Sequence, residues 1–151
     1  VRRLQRSGSR LPRHVRFVPF QPHDRMAQWY RLADVAVVPS PRDEAFGLVN
    51  VEAMACGVPV LAARSGGMTE IVRHGETGFL LDPERLPAEL AGALDRLLGD
   101  PGLLKEMGAR SAEYARSRFT WQHSADRLLA LYEEEVRRRE ERNVRSGVRR
   151  L

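Results

Sequence analysis

Three short apolar runs, separated by segments with helical spacing, constrain the fold of this chain more than any other feature. The first two, Val35 to Val38 and Val58 to Ala63, are continuous, as is typical of strands buried on both faces of a sheet. Gly75 to Leu81 adds a turn and a third short strand. Strands that alternate with helices favour a parallel sheet with right-handed crossovers. The sequence therefore predicts an α/β fold with a Rossmann-like open parallel sheet flanked by helices.

Further elements are expected on both sides of these strands. The segment His14 to Phe20 has partly alternating valine and phenylalanine, which predicts another strand, and Asp24 is the expected N-cap of the helix after it. A short helix is expected from Met68 to Arg73. After Pro83 the pattern becomes wholly helical, and it predicts three C-terminal helices that close the domain.

The boundaries of these last helices have clear signals. Asp100 followed by proline is typical of a cap and a first helical residue, and Thr120 is expected to begin the third helix. Aromatic residues on the helix stripes are expected in the core: Trp29, Trp121 and Tyr132.

Length and composition limit the class of protein. With 151 residues, 42% of them apolar, the chain has material for one compact domain. The single cysteine, Cys56, excludes a disulfide framework and a cysteine-based zinc site. No apolar run approaches the ~20 residues that span a bilayer. We therefore expect a cytoplasmic protein.

The net charge of +5 is unevenly distributed along the chain. Residues 1–16 carry six arginines and no acid, residues 137–151 carry seven arginines and two glutamates, and the body between them is acidic. We predict a basic N-terminal segment (1–12), one domain (13–136) and a charged helical tail (137–151). The basic ends are either solvated tails or surfaces for peripheral contact with an anionic membrane. Arginine outnumbers lysine 24 to one, which indicates a compositional habit, so we expect no nucleic-acid partner.

The stretch from Pro39 to Pro59 carries the chemistry. A loop with Glu44 leaves the carboxyl end of a predicted strand, and a helix begins near Phe46, Gly47 and Leu48. In an open parallel sheet, ligands bind in the crevice at this end of the strands. The free N–H groups at a helix start suit a phosphate, and glycine there permits close approach.

Glu52 is unusual because it lies on the arc of this helix that otherwise buries apolar side chains. A buried carboxylate needs hydrogen-bond donors. Two interpretations remain open from the residues alone. Either an internal arginine or backbone donors satisfy the carboxylate, or a ligand diol such as a ribose supplies two hydroxyl groups to its two oxygens.

The pattern resembles a known family. Glu44 and Glu52, within EAFGLVNVEAMACGVPV, are similar to the paired-glutamate motif of the retaining GT-B glycosyltransferases of family 4. The preceding LADVAVVPS (Leu32 to Ser40) and the following SGGMTEIVRHGETGFLLDP (Ser65 to Pro83) are similar to that family's flanking segments. The resemblance implies a GT-B C-terminal domain, truncated at its N-terminus.

The resemblance also implies roles for individual residues. Glu44, as the catalytic residue, would contact hydroxyls of the donor sugar, while the amides of Phe46, Gly47 and Leu48 would meet the sugar and the diphosphate. Glu52 would hold the ribose diol. Gln21 would lie where members of the family present backbone to the nucleobase. The substrate would be a nucleotide-diphosphate sugar, and the sugar would be transferred with retention to an unknown acceptor.

Other features of the family have no counterpart in the sequence. The family's Arg/Lys pair for the diphosphate and its N-terminal acceptor-binding domain would lie upstream of Val1, so we expect that these 151 residues alone transfer no sugar. Its Gly-Gly loop, by contrast, does have a counterpart in Gly66 and Gly67, which are expected to be turn glycines.

The alternative to a transferase is a non-catalytic nucleotide-sugar binding module. A nucleic-acid or membrane-surface adaptor that uses the basic ends is a more distant alternative.

Neither a metal nor a cofactor is expected. The four histidines have no metal-ligand spacing, and there is no Asp-x-Asp pair of the kind that metal-dependent sugar transferases use. Lys105, the single lysine, lies in the late helices and does not suit a pyridoxal cofactor.

Overall fold

The structure, a computed structural model, describes residues 15–40 and 44–145. The predicted basic segment 1–12 and the end of the predicted tail lie outside the described residues, and the predicted domain boundaries stay predictions. In chain order the elements are α1 (His23–Arg31), β1 (Ala36–Val38), α2 (Leu48–Ala55), β2 (Val60–Ala63), α3 (Met68–Ile71), β3 (Gly78–Leu81), α4 (Leu86–Gly99), α5 (Pro101–Arg118) and α6 (Trp121–Arg145).

The three strands form one parallel sheet in the order β1-β2-β3. Val38 of β1 pairs with Ala62 of β2, which pairs with Leu80 of β3. Each crossover carries a helix, α2 between the first pair of strands and α3 between the second. The predicted open parallel sheet flanked by helices is confirmed.

Helices cover both faces of the sheet. On one face, Val60, Ala62 and Leu80 pack with side chains of α2, α3 and α5 in a buried cluster. On the other face, Leu61, Phe79 and Leu81 pack with α4 and the first turns of α5. All four residues of β2, the central strand, and of β3 are buried, as expected of a parallel sheet that helices cover on both faces.

The predicted strand from His14 to Phe20 is wrong for its described part. Residues 15–20 have no regular secondary structure, and Phe20 is 93% exposed. In the part of the chain that the structure describes, β1 pairs with β2 alone. Alternating apolar side chains do not make a strand without a neighbour to receive its backbone hydrogen bonds.

The prediction that the first strand is buried on both faces is also wrong. Ala36 and Val38 pack against the cluster beside α2, but Val37 points to the other face and is 39% exposed. On that face α4 packs over β2 and β3. Because α4 does not extend over β1, this strand has only one covered face in the described part of the chain.

Two predicted caps had different outcomes. Asp100 caps α5 as predicted, because its Oδ1 accepts a hydrogen bond from the Leu103 N–H at 2.9 Å. Asp24 is not the N-cap of α1: Pro22 holds an extended backbone there, and the helix begins at His23. Asp24 instead lies in the first turn, where its charge is favourable to the helix dipole.

The last helix does not close the domain. Its apolar stripe is exposed, with Trp121 at 92%, and Trp29 and Tyr132 are exposed as well. Placement of these three aromatic residues in the core was therefore wrong. The stripe shows that α6 is amphipathic, but amphipathicity alone does not determine what covers the apolar face.

Gly78, the first residue of β3, lies directly against β2. A Cβ built on Gly78 would overlap the carbonyl oxygen of Val60, the residue with which it pairs. We expect Gly78→Ala to lower the free energy of unfolding by about 1–3 kcal/mol, since the two strands must separate to admit the methyl group. Urea denaturation measures this change.

Gly92→Ala is the matched control, because Gly92 lies in α4 and a Cβ there meets nothing within 4 Å. Its alanine variant should be as stable as the wild type, or more stable by about 0.5–1 kcal/mol, owing to the higher helix propensity of alanine. Equal stability of the two variants would contradict the strand contact.

Candidate functional site

The site is built around the start of α2. Gly47 is its N-cap and adopts a left-handed backbone with φ of 88°. A Cβ at Gly47 would lie 2.8 Å from Asn50 Nδ2 and 2.9 Å from Met68 Sδ, so a larger residue does not fit without displacing them. Because glycine has no side chain, the N-cap offers only its carbonyl, which accepts from the Asn50 N–H at 2.9 Å, and no side-chain oxygen caps the first turn.

The two glycines of the loop after β2 lie directly against the segment that carries Glu44. The Gly67 N–H donates to the Glu44 carbonyl at 2.8 Å. A Cβ on Gly66 would overlap that same carbonyl, and one on Gly67 would lie 2.5 Å from the Ala45 carbonyl oxygen. They are therefore more than the turn glycines that the sequence predicted. They permit two backbone segments to touch.

The residues before and at the helix start differ in exposure. The side chains of Glu44, Phe46 and Leu48 are exposed, whereas Gly47 is buried. The Phe46 ring meets the edge of the Phe119 ring, with centroids 6.1 Å apart. The structure thus presents the Glu44 carboxylate to solvent on a loop whose backbone is fixed by the glycine pair.

Glu52 lies farther along the same helix. Its Cα is about 7 Å along the axis from the N-cap, at 1.5 Å per residue. Its side chain is 30% exposed, and Oε2 accepts a hydrogen bond from the Tyr30 hydroxyl at 2.9 Å. His23 Nδ1 lies 3.7 Å from Oε1. In the described part of the chain no arginine contacts this carboxylate, so the arginine interpretation offered from the sequence is not what the structure shows.

The contact changes the chemistry of the phenol. Burial, together with the hydrogen bond to Glu52 and its negative charge, raises the pKa of Tyr30 to about 12 from the usual 10.0. Because the folded-state pKa is the higher one, the stabilisation is complete below pH 10 and is lost as the pH rises through about 12. At neutral pH the hydroxyl is therefore protonated and donates.

A groove of about 490 Å³ lies beside this pair, lined by residues 18–21 and by His23, Met26 and Trp29. Gln21 is half-buried in it, and its Nε2 donates to the Pro19 carbonyl at 3.1 Å. Since His23 contacts Glu52, the groove and the carboxylate adjoin. The structure thus places Gln21 and His23 along one groove, with His23 next to Glu52.

Sequence reasoning missed Tyr30 and His23. Tyr30 was assigned to an apolar stripe, and His23 was considered only as a metal ligand. One signal pointed to Tyr30: a carboxylate on a buried arc needs a donor, and the preceding helix offers a hydroxyl on its apolar stripe. No comparable signal marks His23.

Residues 15–40 and 44–145 contain no group of three His, Cys, Asp or Glu side chains placed to hold a metal ion. Within the same ranges, no helix is both long and apolar enough to cross a membrane.

Comparison with protein families assigns the chain. Residues 3–118 match the family described as glycosyl transferases group 1. The chain belongs to this family. The match covers α1, the paired-glutamate segment and the glycine loop, which carry the candidate site, and it extends to the end of α5.

Curated relatives agree with this assignment. The chain is 46% identical over 123 residues to a D-inositol 3-phosphate glycosyltransferase of Jonesia denitrificans, and 46% identical over 125 residues to one of Acidothermus cellulolyticus. These matches cover 82% and 83% of the chain, but only 28% and 27% of the relatives. The chain thus spans about a quarter of their length.

Solved structures show the same GT-B architecture. Sucrose-phosphate synthase from Thermosynechococcus elongatus matches with a TM-score of 0.78 and 38% identity, over 89% of this chain and 34% of that protein. HepE from Anabaena, in complex with UDP-glucose, matches with a TM-score of 0.75 and 32% identity, over 85% and 36%. The C-terminal domain of LpcC, a group 1 glycosyl transferase of Francisella tularensis, matches with a TM-score of 0.67 and 27% identity, over 80% and 60%. The predicted resemblance to a GT-B C-terminal domain is confirmed.

The contact of the glycine loop with the Glu44 segment is testable. Gly66 has a φ of +48° and a Cβ there would overlap the Glu44 carbonyl, whereas Gly75 has a φ of +82° and open space around it. Both alanine variants should lose about 1–2 kcal/mol of stability through the left-handed backbone. Gly66→Ala should lose at least about 1 kcal/mol more through the overlap, as urea denaturation would measure. Equal losses would show that the backbone contact does not constrain the loop.

Proposed function

We propose that this chain is the donor-binding part of a retaining glycosyltransferase that uses a nucleotide-diphosphate sugar. One observation carries the proposal. Helix α2 has an uncapped, glycine-led N-terminus at one end and, about 7 Å farther along, a carboxylate that is half-buried beside a groove. Diphosphate and ribose are separated by a comparable distance in a nucleotide, so one helix can meet both.

The diphosphate suits the start of α2. The first N–H groups of a helix have no acceptor within it, and the helix dipole places partial positive charge there. In α2 the Asn50 N–H already donates to the Gly47 carbonyl at 2.9 Å, so the N–H groups of Leu48 and Val49 are the ones assigned to the phosphate. Phe46 and Leu48, both exposed residues, flank this end. Fixed donors of this kind stabilise charge that develops on a leaving diphosphate, which is where catalysis would mainly arise.

The ribose suits Glu52. A carboxylate accepts about four hydrogen bonds, and Tyr30 occupies one of the acceptor positions. The remaining positions are suited to two adjacent hydroxyl groups, as a ribose diol presents. The groove beyond His23, in which Gln21 lies, is then the place for the nucleobase.

The sugar suits Glu44. Its carboxylate is exposed on a loop that the glycine pair fixes just upstream of the helix start. With the diphosphate at the N-terminus of α2, the attached sugar would lie on the Glu44 side. Glu44 is therefore assigned to the sugar hydroxyls, and retention at the anomeric carbon is the stereochemistry that the family resemblance implies.

The comparisons support the donor class. HepE, which is similar to 85% of this chain, was solved with UDP-glucose and with UDP and glucose. UDP-sugars are therefore the first donors to examine. We further propose that an acceptor-binding domain completes the enzyme, because the chain spans about a quarter of its curated relatives. Cytoplasmic location, peripheral membrane contact, absence of a nucleic-acid partner and independence from metal or cofactor stay predictions from the sequence.

Calorimetry with UDP and UDP-glucose tests the assignment of Glu52. Glu52→Gln should weaken binding of both ligands by at least ~1.5 kcal/mol, because a charged acceptor for the diol becomes a neutral one. Glu44→Ala should weaken binding of UDP-glucose more than that of UDP. Glu113→Gln is the control and should change neither affinity, since Glu113 is exposed on α5 and lies outside the glutamate motif.

Unchanged affinity of Glu52→Gln for both ligands would remove the ribose assignment. Equal losses for UDP and UDP-glucose in Glu44→Ala would remove the sugar assignment.

A further inference from the structure

Tyr30 reaches the candidate ribose site from a different helix. It lies in the last turn of α1, and its ring packs against the buried cluster beside α2. Its hydroxyl emerges from that packing and donates to Glu52 Oε2 at 2.9 Å. A ring held by the core is a fixed anchor, so the position of the hydroxyl is set by the fold and not by the ligand.

The two oxygens of Glu52 are held differently. Oε2 has the tyrosine hydroxyl, whereas the neighbour of Oε1 is His23 at 3.7 Å, beyond hydrogen-bond length. The His23 side chain is 86% exposed, so it is not anchored. Tyr30 is therefore the contact that orients the carboxylate, and Oε1 remains available beside the groove.

Orientation matters because a glutamate side chain has several rotatable bonds. A carboxylate that is free to rotate loses that freedom when a ligand binds, which weakens binding. A hydrogen bond from a fixed phenol removes the freedom before the ligand arrives. A tyrosine hydroxyl is protonated throughout the physiological pH range even at its ordinary pKa of 10.0, and in Tyr30 burial and Glu52 raise this pKa to about 12.

We propose that Tyr30 is a positioning residue for donor binding: its hydroxyl holds Glu52 Oε2 so that the remaining acceptor positions face the ribose diol. The inference rests on the proposed function and deepens it. Tyr30 itself touches no part of the donor. Its effect should therefore be confined to ligands that possess the diol.

The test compares a ribonucleotide with an analogue that lacks the diol. Binding is measured by calorimetry for the tightest binder among UDP, GDP and ADP, and for its 2′,3′-dideoxy analogue. Tyr30→Phe keeps the ring and removes the hydroxyl. It should weaken binding of the ribonucleotide about threefold to tenfold and leave that of the dideoxy analogue unchanged.

Two further variants separate positioning from general damage. Tyr132→Phe, on the exposed face of α6, should change neither affinity. In a Glu52→Ala background, Tyr30→Phe should cause no further loss, because no carboxylate remains to orient. Urea denaturation of Tyr30→Phe verifies that the variant is folded under the binding conditions.

Several results would overturn the inference. Equal loss for both nucleotides would make Tyr30 a packing residue, and unchanged affinity for the ribonucleotide would remove its role. Tighter binding by Tyr30→Phe would mean that the phenol competes with the ribose. If the wild-type chain does not prefer the ribonucleotide over its dideoxy analogue, the proposed function itself fails, and with it the inference.

Discussion

The contact between the glycine pair and the Glu44 segment determines where the rest of the candidate site lies. The Gly67 N–H binds the Glu44 carbonyl, and neither Gly66 nor Gly67 has room for a Cβ. Three residues after Glu44, the left-handed backbone of Gly47 turns the chain into α2. Without this close approach, the loop would have no fixed position relative to the helix start, and a helix N-terminus binds an anion well only when its approach is fixed.

Helix α2 is anchored at its other end as well. The Arg116 guanidinium donates two hydrogen bonds, at 2.8 and 3.1 Å, to the carbonyl of Ala55, the last residue of the helix. A Cβ on Gly108 of α5 would overlap the Gly57 carbonyl, so α5 packs closely against the turn that follows α2. The helix that carries both candidate ligand contacts is thus held by the core and not by loops alone.

The sequence was sufficient for the architecture because buried strands leave a strong pattern. The runs around Val60 and Phe79 form strands in which every residue is buried. Sequence reasoning failed for segments whose burial depends on a neighbouring element. Residues 15–20 have strand-like composition but no pairing, and the apolar face of α6 is uncovered, since periodicity specifies a face and not its partner.

For a similar reason, sequence reasoning predicted some features of the candidate site and missed others. The paired glutamates and the glycine at the helix start follow one another in sequence, so their arrangement around the start of one helix is readable from the spacing. Tyr30 meets Glu52 across 22 residues, and Gly67 meets Glu44 across 23, so these contacts join segments that are distant in the sequence. The positions of the site residues therefore depend on contacts between segments that are distant in sequence, and local sequence patterns do not indicate such contacts.

The most direct measurement is a map of backbone amide chemical shifts during titration of the chain with UDP. If one helix binds diphosphate and ribose, the amides of residues 46–48 and 52 should shift together with those lining the groove around Gln21, at a common affinity. Shifts confined to α6, with the start of α2 unaffected, would contradict the account.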